Sequence, residues 1–246
     1  MILRAGTSGY SYAPWKGVFY PKKLPAAKML AHYATQLPTV EINNTFYRMP
    51  KPEVITKWGE EVPADFRFAI KAPQRITHQA RLSETANDAV EVLAAGTRGI
   101  GEKLGPVLFQ LPPFMRKDLG RLQSFLETLK TRAAGLRPAF EFRHASWFEP
   151  DVFEALAAGG AALCISEADA LATPLVATTG WGYLRLRRQD YGPEEVAAWA
   201  DRIAAQPWGE AYVFFKHEDE GKGPALAAEL LARSQNARGS AADPPA

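Results

Sequence analysis

The sequence predicts an α/β protein folded as a single TIM-like (β/α)8 barrel, on three observations. Short β-rich runs alternate with longer helix-like stretches, eight strand candidates emerge, and the series occupies about 235 of the 246 residues. Barrels of this type run to ~250 residues. An open doubly wound sheet could take the same series, but no glycine-rich phosphate fingerprint follows the first strand, which favours the closed form.

The elements follow in order. A strand at Ile2–Thr7 leads to a helix at Ala26–Leu37, where Met29, Leu30, Tyr33 and Leu37 recur at helical spacing. The strand Thr39–Asn43, the helix Glu53–Glu61 and the strand Phe66–Ala72 come next. Ser83 as a cap, with Glu84 in the first turn, starts a helical stretch Glu84–Lys103. Val107–Leu111, the helix Leu119–Arg132, Ala139–Arg143, the helix Pro150–Ala158 and Ala161–Ser166 continue the alternation. Glu167–Pro174 carries little helical signal. Beyond it stand Gly182–Arg187, a helix Pro193–Gln206 opened by Pro193-Glu194-Glu195, the strand Tyr212–Lys216 and a last helix Pro224–Ser234. Residues 1–235 are read as the barrel, and the Ala/Gly/Pro/Asp-rich stretch 236–246 as a disordered tail.

Composition excludes several classes. The chain is 47% hydrophobic and 23% charged, as in ordinary globular proteins. Lys+Arg 29 against Asp+Glu 27 gives +2, so bulk charge argues for neither a nucleic acid nor a membrane partner. The one cysteine, Cys164, excludes an internal disulfide and lies in an apolar run expected to bury it. No window approaches the ~18–20 apolar residues of a membrane span. The start of the chain lacks the pattern of a signal peptide, so the expected setting is the reducing cytoplasm.

A barrel strand alternates between the helices outside and the interior, and the outward set must be apolar. That requirement sets the register. Val40 and Ile42 go out and leave Glu41 and Asn43 inside; Phe68 and Ile70 go out and leave Arg67, Ala69 and Lys71. By the same rule Leu108 and Gln110, Glu141 and Arg143, Tyr183, Arg185 and Arg187, and Tyr212, Phe214 and Lys216 face inward. The inward set holds two acids, Glu41 and Glu141, against six bases: Arg67, Lys71, Arg143, Arg185, Arg187 and Lys216. Barrel interiors are usually apolar, and an unpaired buried charge is expensive. An excess of bases therefore points to an anionic guest, phosphate or carboxylate, which guanidinium groups bind through paired hydrogen bonds. Internal ion-pair networks are the competing reading for each residue taken singly. Arg67 sits early in its strand, towards the barrel bottom, where a role in stability is expected.

Common catalytic strings for phosphate binding, zinc proteolysis and serine hydrolysis are absent from the sequence. His32 falls on a helix, whereas His78, His144 and His217 follow strands three, five and eight. Their spacing suggests no metal site, and neither a metal nor a cofactor is expected.

Several strings resemble the YecE-like family, the domain of unknown function 72. They are Gly6-Thr7-Ser8-Gly9-Tyr10-Ser11-Tyr12 with Trp15-Lys16-Gly17, Val40-Glu41-Ile42-Asn43-Asn44-Thr45-Phe46-Tyr47, Phe68-Ala69-Ile70-Lys71-Ala72 with Thr77-His78, Gly105–Pro113, and Glu141-Phe142-Arg143-His144 with Ser146-Trp147. They run in order across residues 6–147, and weaker likeness continues through Tyr183–Leu186 and Tyr212–Phe215. The resemblance implies a TIM-like barrel with no agreed activity. Two loops depart from many relatives: Lys216-His217-Glu218-Asp219-Glu220 stands where paired asparagines are usual, and Arg187-Arg188-Gln189-Asp190 where a histidine and glycine are usual.

The family motifs coincide with the inward set, and Tyr10, Trp15, Tyr47, His78, His144 and Trp147 stand on the loops around it. Aromatic groups beside bases suit a sugar or nucleobase joined to phosphate. Trp15 and Trp147 are equally readable as packing residues that cap the barrel. Two functions remain open. In the first, an enzyme binds an anionic substrate through Tyr10, Trp15, Asn43, Tyr47, Lys71, Gln110, Arg143, Trp147, Arg185 and Lys216. Glu41 or Glu141 then serves as general base, and His78 or His144 shuttles a proton. Glycoside cleavage would need two unpaired carboxylates, and arginine neighbours argue against an acid partner. In the second, a nucleic-acid or partner-binding barrel performs no turnover and carries a basic, aromatic surface extending beyond the mouth.

Overall fold

Hydrogen-bonded strand pairing closes the cylinder in the computed structural model, which describes residues 1–168 and 171–240. The strands are β1 (Ile2–Ser8), β2 (Thr39–Ile42), β3 (Arg67–Lys71), β4 (Leu104–Gln110), β5 (Arg137–Glu141), β6 (Ala162–Ala168), β7 (Leu171–Ala172), β8 (Trp181–Leu186) and β9 (Glu210–Phe215). All except β7 are parallel, and the β5–β6 and β1–β9 pairings complete an eight-stranded barrel. Around it lie α1 (Met29–Ala34), α2 (Pro52–Glu61), α3 (Asn87–Thr97), α4 (Leu119–Arg132), α5 (Pro150–Ala158), α6 (Pro193–Ala204) and α7 (Lys222–Ser240). The protein is thus a TIM-like (β/α)8 barrel.

The in–out register follows the alternation of the sequence. Val40, Ile42, Phe68, Ile70, Val107, Phe109, Phe140, Leu184, Leu186, Val213 and Phe215 pack outward into one core with the helices. A second, smaller core fills the cylinder with Ala69, Leu108, Ala139, Ala162, Cys164, Tyr183, Tyr212 and Phe214. Bulky rings from β8 and β9 face small side chains from β3, β5 and β6, which is how a narrow barrel is filled without a channel.

Four expectations need adjustment. No helix among the described residues joins β6 to β8. Instead β6 runs to Ala168 and folds back antiparallel onto β7, pairing Glu167 with Ala172. The apolar spacing of a helix is missing there, and Thr178 pins the returning chain by donating to Ala161 O (2.8 Å) and accepting from Leu163 N (2.9 Å). The stretch Glu84–Lys103 divides into a 3-10 turn, α3 and a second 3-10 segment that passes through Gly101 at φ 62°. β5 ends at Glu141, so Arg143 stands on the following loop rather than inside the strand, and Asn43, Arg187 and Lys216 likewise lie just past their strands. Of the stretch expected as a disordered tail, α7 covers the part up to Ser240, and 241–246 lie outside the described residues.

The barrel bottom is closed by charge and aromatic faces together. Glu210 accepts from Arg4 Nε (2.7 Å) and Arg137 Nη1 (2.8 Å), and the Arg137 guanidinium lies 4.6 Å from the Trp181 ring centroid and 5.5 Å from that of Tyr212. Arg67 joins this end, donating to the carbonyls of Ala64 and Phe66. It contributes nothing to the opposite mouth.

Candidate functional site

At the C-terminal end, β2, β5 and β8 bring two carboxylates and one guanidinium to the same level inside the cylinder. Glu41 Oε1 accepts from Ser8 Oγ (2.7 Å), Asn43 Nδ2 (3.0 Å) and Arg185 Nη2 (2.9 Å), while its Oε2 accepts from Tyr183 OH (2.6 Å). Glu141 Oε2 accepts from Arg185 Nη1 (2.5 Å) and Gln110 Nε2 (2.8 Å), and its Oε1 from Arg187 Nη2 (2.6 Å). Ser166 Oγ also accepts from Arg187, at 3.0 Å.

Both carboxylates are wholly buried. Burial alone raises a carboxyl pKa, but here the opposing charges win. The Arg185 guanidinium, with hydrogen bonds from Tyr183, Ser8 and Asn43, holds Glu41 below the usual range. Arg185 and Arg187, with Gln110, draw Glu141 down to about 2. Both are therefore ionised at neutral pH, and every carboxylate oxygen has a donor. The Nε atoms of Arg185 and Arg187 are buried with no hydrogen-bond partner among the described residues.

Above this paired floor opens a cavity of about 380 Å³. Lys71, Gln110, Arg185 and Arg187 form its base, Arg143, Lys216 and Glu218 stand at its rim, and Ser8, Tyr12, Asn43, Phe46 and Tyr47 complete its wall. Five bases here meet three acids, counting Glu41 and Glu141 beneath. No carboxylate pairs with Lys71 or Arg143 among the described residues, and Lys216 has only an exposed contact with Glu218 at 3.9 Å, of a kind worth ~0–1 kcal/mol. Lys71 Nζ donates to Gln110 Oε1 (2.8 Å) and lies 4.2 Å from the Phe46 ring centroid. Burial, followed by the Arg185 charge, outweighs the pull of Glu41 and Glu141 and lowers the Lys71 pKa to about 8.

The histidines differ in placement. His78 sits on a single π-helical turn, Arg75–Gln79, a distortion common at functional sites. Its Nδ1 is 2.9 Å from Thr77 Oγ1 and its ring meets Phe46 edge-on at 4.9 Å. Burial, then the charges of Lys71 and Arg143, lower its pKa, leaving it neutral at pH 7. His144 Nδ1 instead accepts from Ser146 N (3.1 Å), capping the turn Ala145–Trp147 away from the cavity wall.

The two tryptophans supply no surface to the cavity. Trp15 is fully buried beside Tyr12 and donates Nε1 to Glu218 O (3.0 Å), tying the loop after β1 to the loop after β9. Trp147 is fully buried, stacks on Phe142 at 4.5 Å and donates to Met115 O (2.8 Å), tying the loop after β5 to the loop after β4. Tyr10 opens onto an adjoining recess of about 220 Å³ shared with Tyr12 and Asn43. Tyr47 is 76% exposed at the rim. The structure thus brings together Asn43, Tyr47, Lys71, Gln110, Arg143, Arg185 and Lys216 over Glu41 and Glu141, with His78 behind Phe46.

Sequence reasoning placed Tyr183 inward without giving its hydroxyl a role, and missed Tyr12, Ser8, Phe46 and Ser166 as parts of the site. Ser8 and Ser166 were within reach of the same alternation, Ser166 lying two positions beyond the inward Cys164. Among the described residues, no group of three His, Cys, Asp or Glu side chains is placed to hold a metal ion, and no helix is long and apolar enough to cross a membrane.

Closed strand pairing with a polar, cation-lined mouth at the C-terminal end defines a TIM-barrel protein. More particularly, the chain belongs to the family described as "Protein of unknown function DUF72", whose model matches residues 4–246. It is 31% identical over 140 residues to the UPF0759 protein YunF of Bacillus subtilis, covering 55% of this chain and 49% of that protein. It is 35% identical over 120 residues to the UPF0759 protein YecE of Escherichia coli, covering 48% and 43%. These matches span about half the length of the curated relatives or less. Among solved structures, a DUF72 family protein from Thermotoga maritima superposes with a TM-score of 0.79 at 23% identity, covering 96% of this chain and 100% of that one. One from Enterococcus faecalis gives 0.78 at 18% identity, covering 95% and 96%. These likenesses establish the fold.

Proposed function

We propose that the mouth of this barrel binds a phosphorylated or otherwise anionic small molecule and that the protein is an enzyme acting on it. One observation carries the reading: after Arg185 and Arg187 have engaged both buried carboxylates, Lys71 and Arg143 still face an open-mouthed polar cavity with no carboxylate partner among the described residues. Converging cations in a cleft with low-dielectric walls focus their field on an anion. The Glu41–Arg185–Glu141 array holds the Arg185 and Arg187 guanidinium groups of the floor in place before a ligand arrives.

The roles divide accordingly. Arg143, Lys216 and Arg187 supply donors to the anionic group, and Lys71 with Gln110 meets the rest of the ligand. Fully engaged, ionised carboxylates are poor proton acceptors, which argues against Glu41 or Glu141 as general base, and His78 stands behind Phe46 instead of lining the cavity. A nucleic-acid surface is the weaker alternative, because Trp15 and Trp147, the large aromatics that would extend such a surface, are spent on loop packing.

Isothermal titration with inorganic phosphate tests the reading. The full chain is expected to bind phosphate at one site, and Arg143→Ala to weaken that binding about tenfold, the loss of one charge-assisted contact. Equal binding by wild type and variant, or preference for a single-stranded oligonucleotide over phosphate with no competition between them, contradicts it.

A further inference from the structure

We infer that Lys71 is a covalent-catalytic residue, and that the cavity takes a phosphorylated aldehyde or ketone whose carbonyl carbon forms an imine with Lys71 Nζ. The inference rests on the anion-binding reading above and deepens it by naming the substrate class and the reacting atom.

Placement comes first. Lys71 is the last residue of β3, so a strand of the rigid cylinder, not a loop, aims its side chain. Catalytic side chains of this fold come from the C-terminal ends of strands, at the open face. Its ammonium position lies at the cavity base, against the Phe46 ring on one side and the Gln110 carbonyl on the other. Neither contact neutralises a charge.

The charged neighbours come next. Arg185 and Arg187 lie on the far side of Gln110, and Arg143 and Lys216 line the same cavity; Glu41 and Glu141 face Lys71 from below but are engaged by Arg185 and Arg187. A lysine half-desolvated beside fixed guanidinium groups gives up its proton readily, which is how lysine nucleophiles are activated. The titration near 8 described above follows from that surrounding and leaves a usable fraction of free amine at neutral pH.

The reaction balances without another co-reactant. The amine lone pair attacks the carbonyl carbon and the C=O π pair passes to oxygen, which takes one amine proton to give the carbinolamine. A proton from solvent completes the water molecule that leaves as nitrogen closes the C=N bond. The iminium keeps the second amine proton. The phosphate, held by Arg143 and Lys216 at the rim, fixes the carbonyl over Lys71. The cavity of about 380 Å³ is of a size for a three- to six-carbon phosphate, within the ~300–1,000 Å³ of ligand sites.

Reductive trapping tests the inference. The full chain is incubated with dihydroxyacetone phosphate and sodium borohydride, and the adduct is located by peptide mass spectrometry, alongside calorimetry with inorganic phosphate. Expected is an adduct at Lys71 that inorganic phosphate suppresses. Replacing the probe by dihydroxyacetone, or the protein by Arg143→Ala, is expected to lower it about tenfold. Lys71→Arg, which keeps the charge but forms no stable imine, is expected to lose it, and mapping on the wild type stands whether or not that variant folds. Phosphate binding without an adduct at Lys71, or labelling spread over surface lysines without preference for Lys71, overturns the imine while leaving the anion site standing. Absence of both phosphate binding and adduct overturns the anion reading and the imine with it. Equal labelling by dihydroxyacetone removes phosphate from the substrate class and overturns the inference as stated.

Discussion

The two ends of the barrel use the same side chains to opposite effect. At the bottom, Arg4 and Arg137 share Glu210, Arg137 is sandwiched with Trp181 and Tyr212, and Arg67 is capped by backbone carbonyls. Every cation there has a partner, and rings close the cylinder. At the top, Arg185 and Arg187 are paired as tightly, yet Lys71 and Arg143 are left facing a cavity. A buried ion pair is weak evidence for function, whereas cations with no carboxylate partner among the described residues in an open polar cleft are a place for an anion to bind.

The largest effect expected from breaking this contrast is Glu141→Gln at the top. It leaves Arg187 without its carboxylate and the buried Arg185 with Glu41 alone, and should cost about 3–5 kcal/mol in urea unfolding. The pH dependence has a defined sign. The native Glu141 pKa, about 2, lies below its unfolded value, which is ~4.3. Its contribution is therefore full above the unfolded value and is lost as pH falls towards about 2, an acid limb that Glu141→Gln should flatten.

Next in size is Arg143→Ala. Arg143 is exposed and has no carboxylate partner among the described residues, so unfolding stability should move by no more than ~0.5 kcal/mol, while phosphate affinity falls about tenfold. A stability loss equal to that of Glu141→Gln would place Arg143 in the structural network instead. At the bottom, Glu210→Gln should cost about 1 kcal/mol, because its partners remain partly solvated and rest on aromatic faces, and should leave phosphate binding unchanged.

The smallest effect is on pH dependence of binding. Lys71 loses its charge as pH rises through about 8, so phosphate binding by the wild type should weaken from pH 7 to 9, measured by calorimetry. Lys71→Met should show a flatter profile over that range. A profile identical in both proteins would take the Lys71 charge out of the field that draws the anion in.

Much of this was legible in the sequence because burial leaves strands little freedom. Phe68 and Ile70 have to meet helices, so Lys71 has to face in, and the same logic placed Glu41, Gln110 and Arg185. The helices expected at Leu119–Arg132 and Pro150–Ala158 match their structural limits. Alternation says which face a residue takes but not which residue it meets there. It could not show that Arg185 bridges Glu41 and Glu141, or that the bottom would recruit Arg4, Arg137 and Glu210 across distant strands. Trp15 and Trp147 were ambiguous because a loop tryptophan has no periodicity to fix it, and each found a backbone carbonyl that sealed it into packing. The link after β6 lacked helical spacing for a physical reason: a hairpin and an extended return occupy it.

The most direct test of the central claim is a crystal structure of the full chain soaked in tungstate, whose anomalous signal locates an oxyanion unambiguously. The account predicts tungstate in the C-terminal mouth, within hydrogen-bond distance of Arg143 and Lys216 and above the Glu41–Arg185–Glu141 floor. An anion found only at the Arg4–Glu210–Arg137 end or scattered over the outer surface, with the mouth holding none, would contradict it.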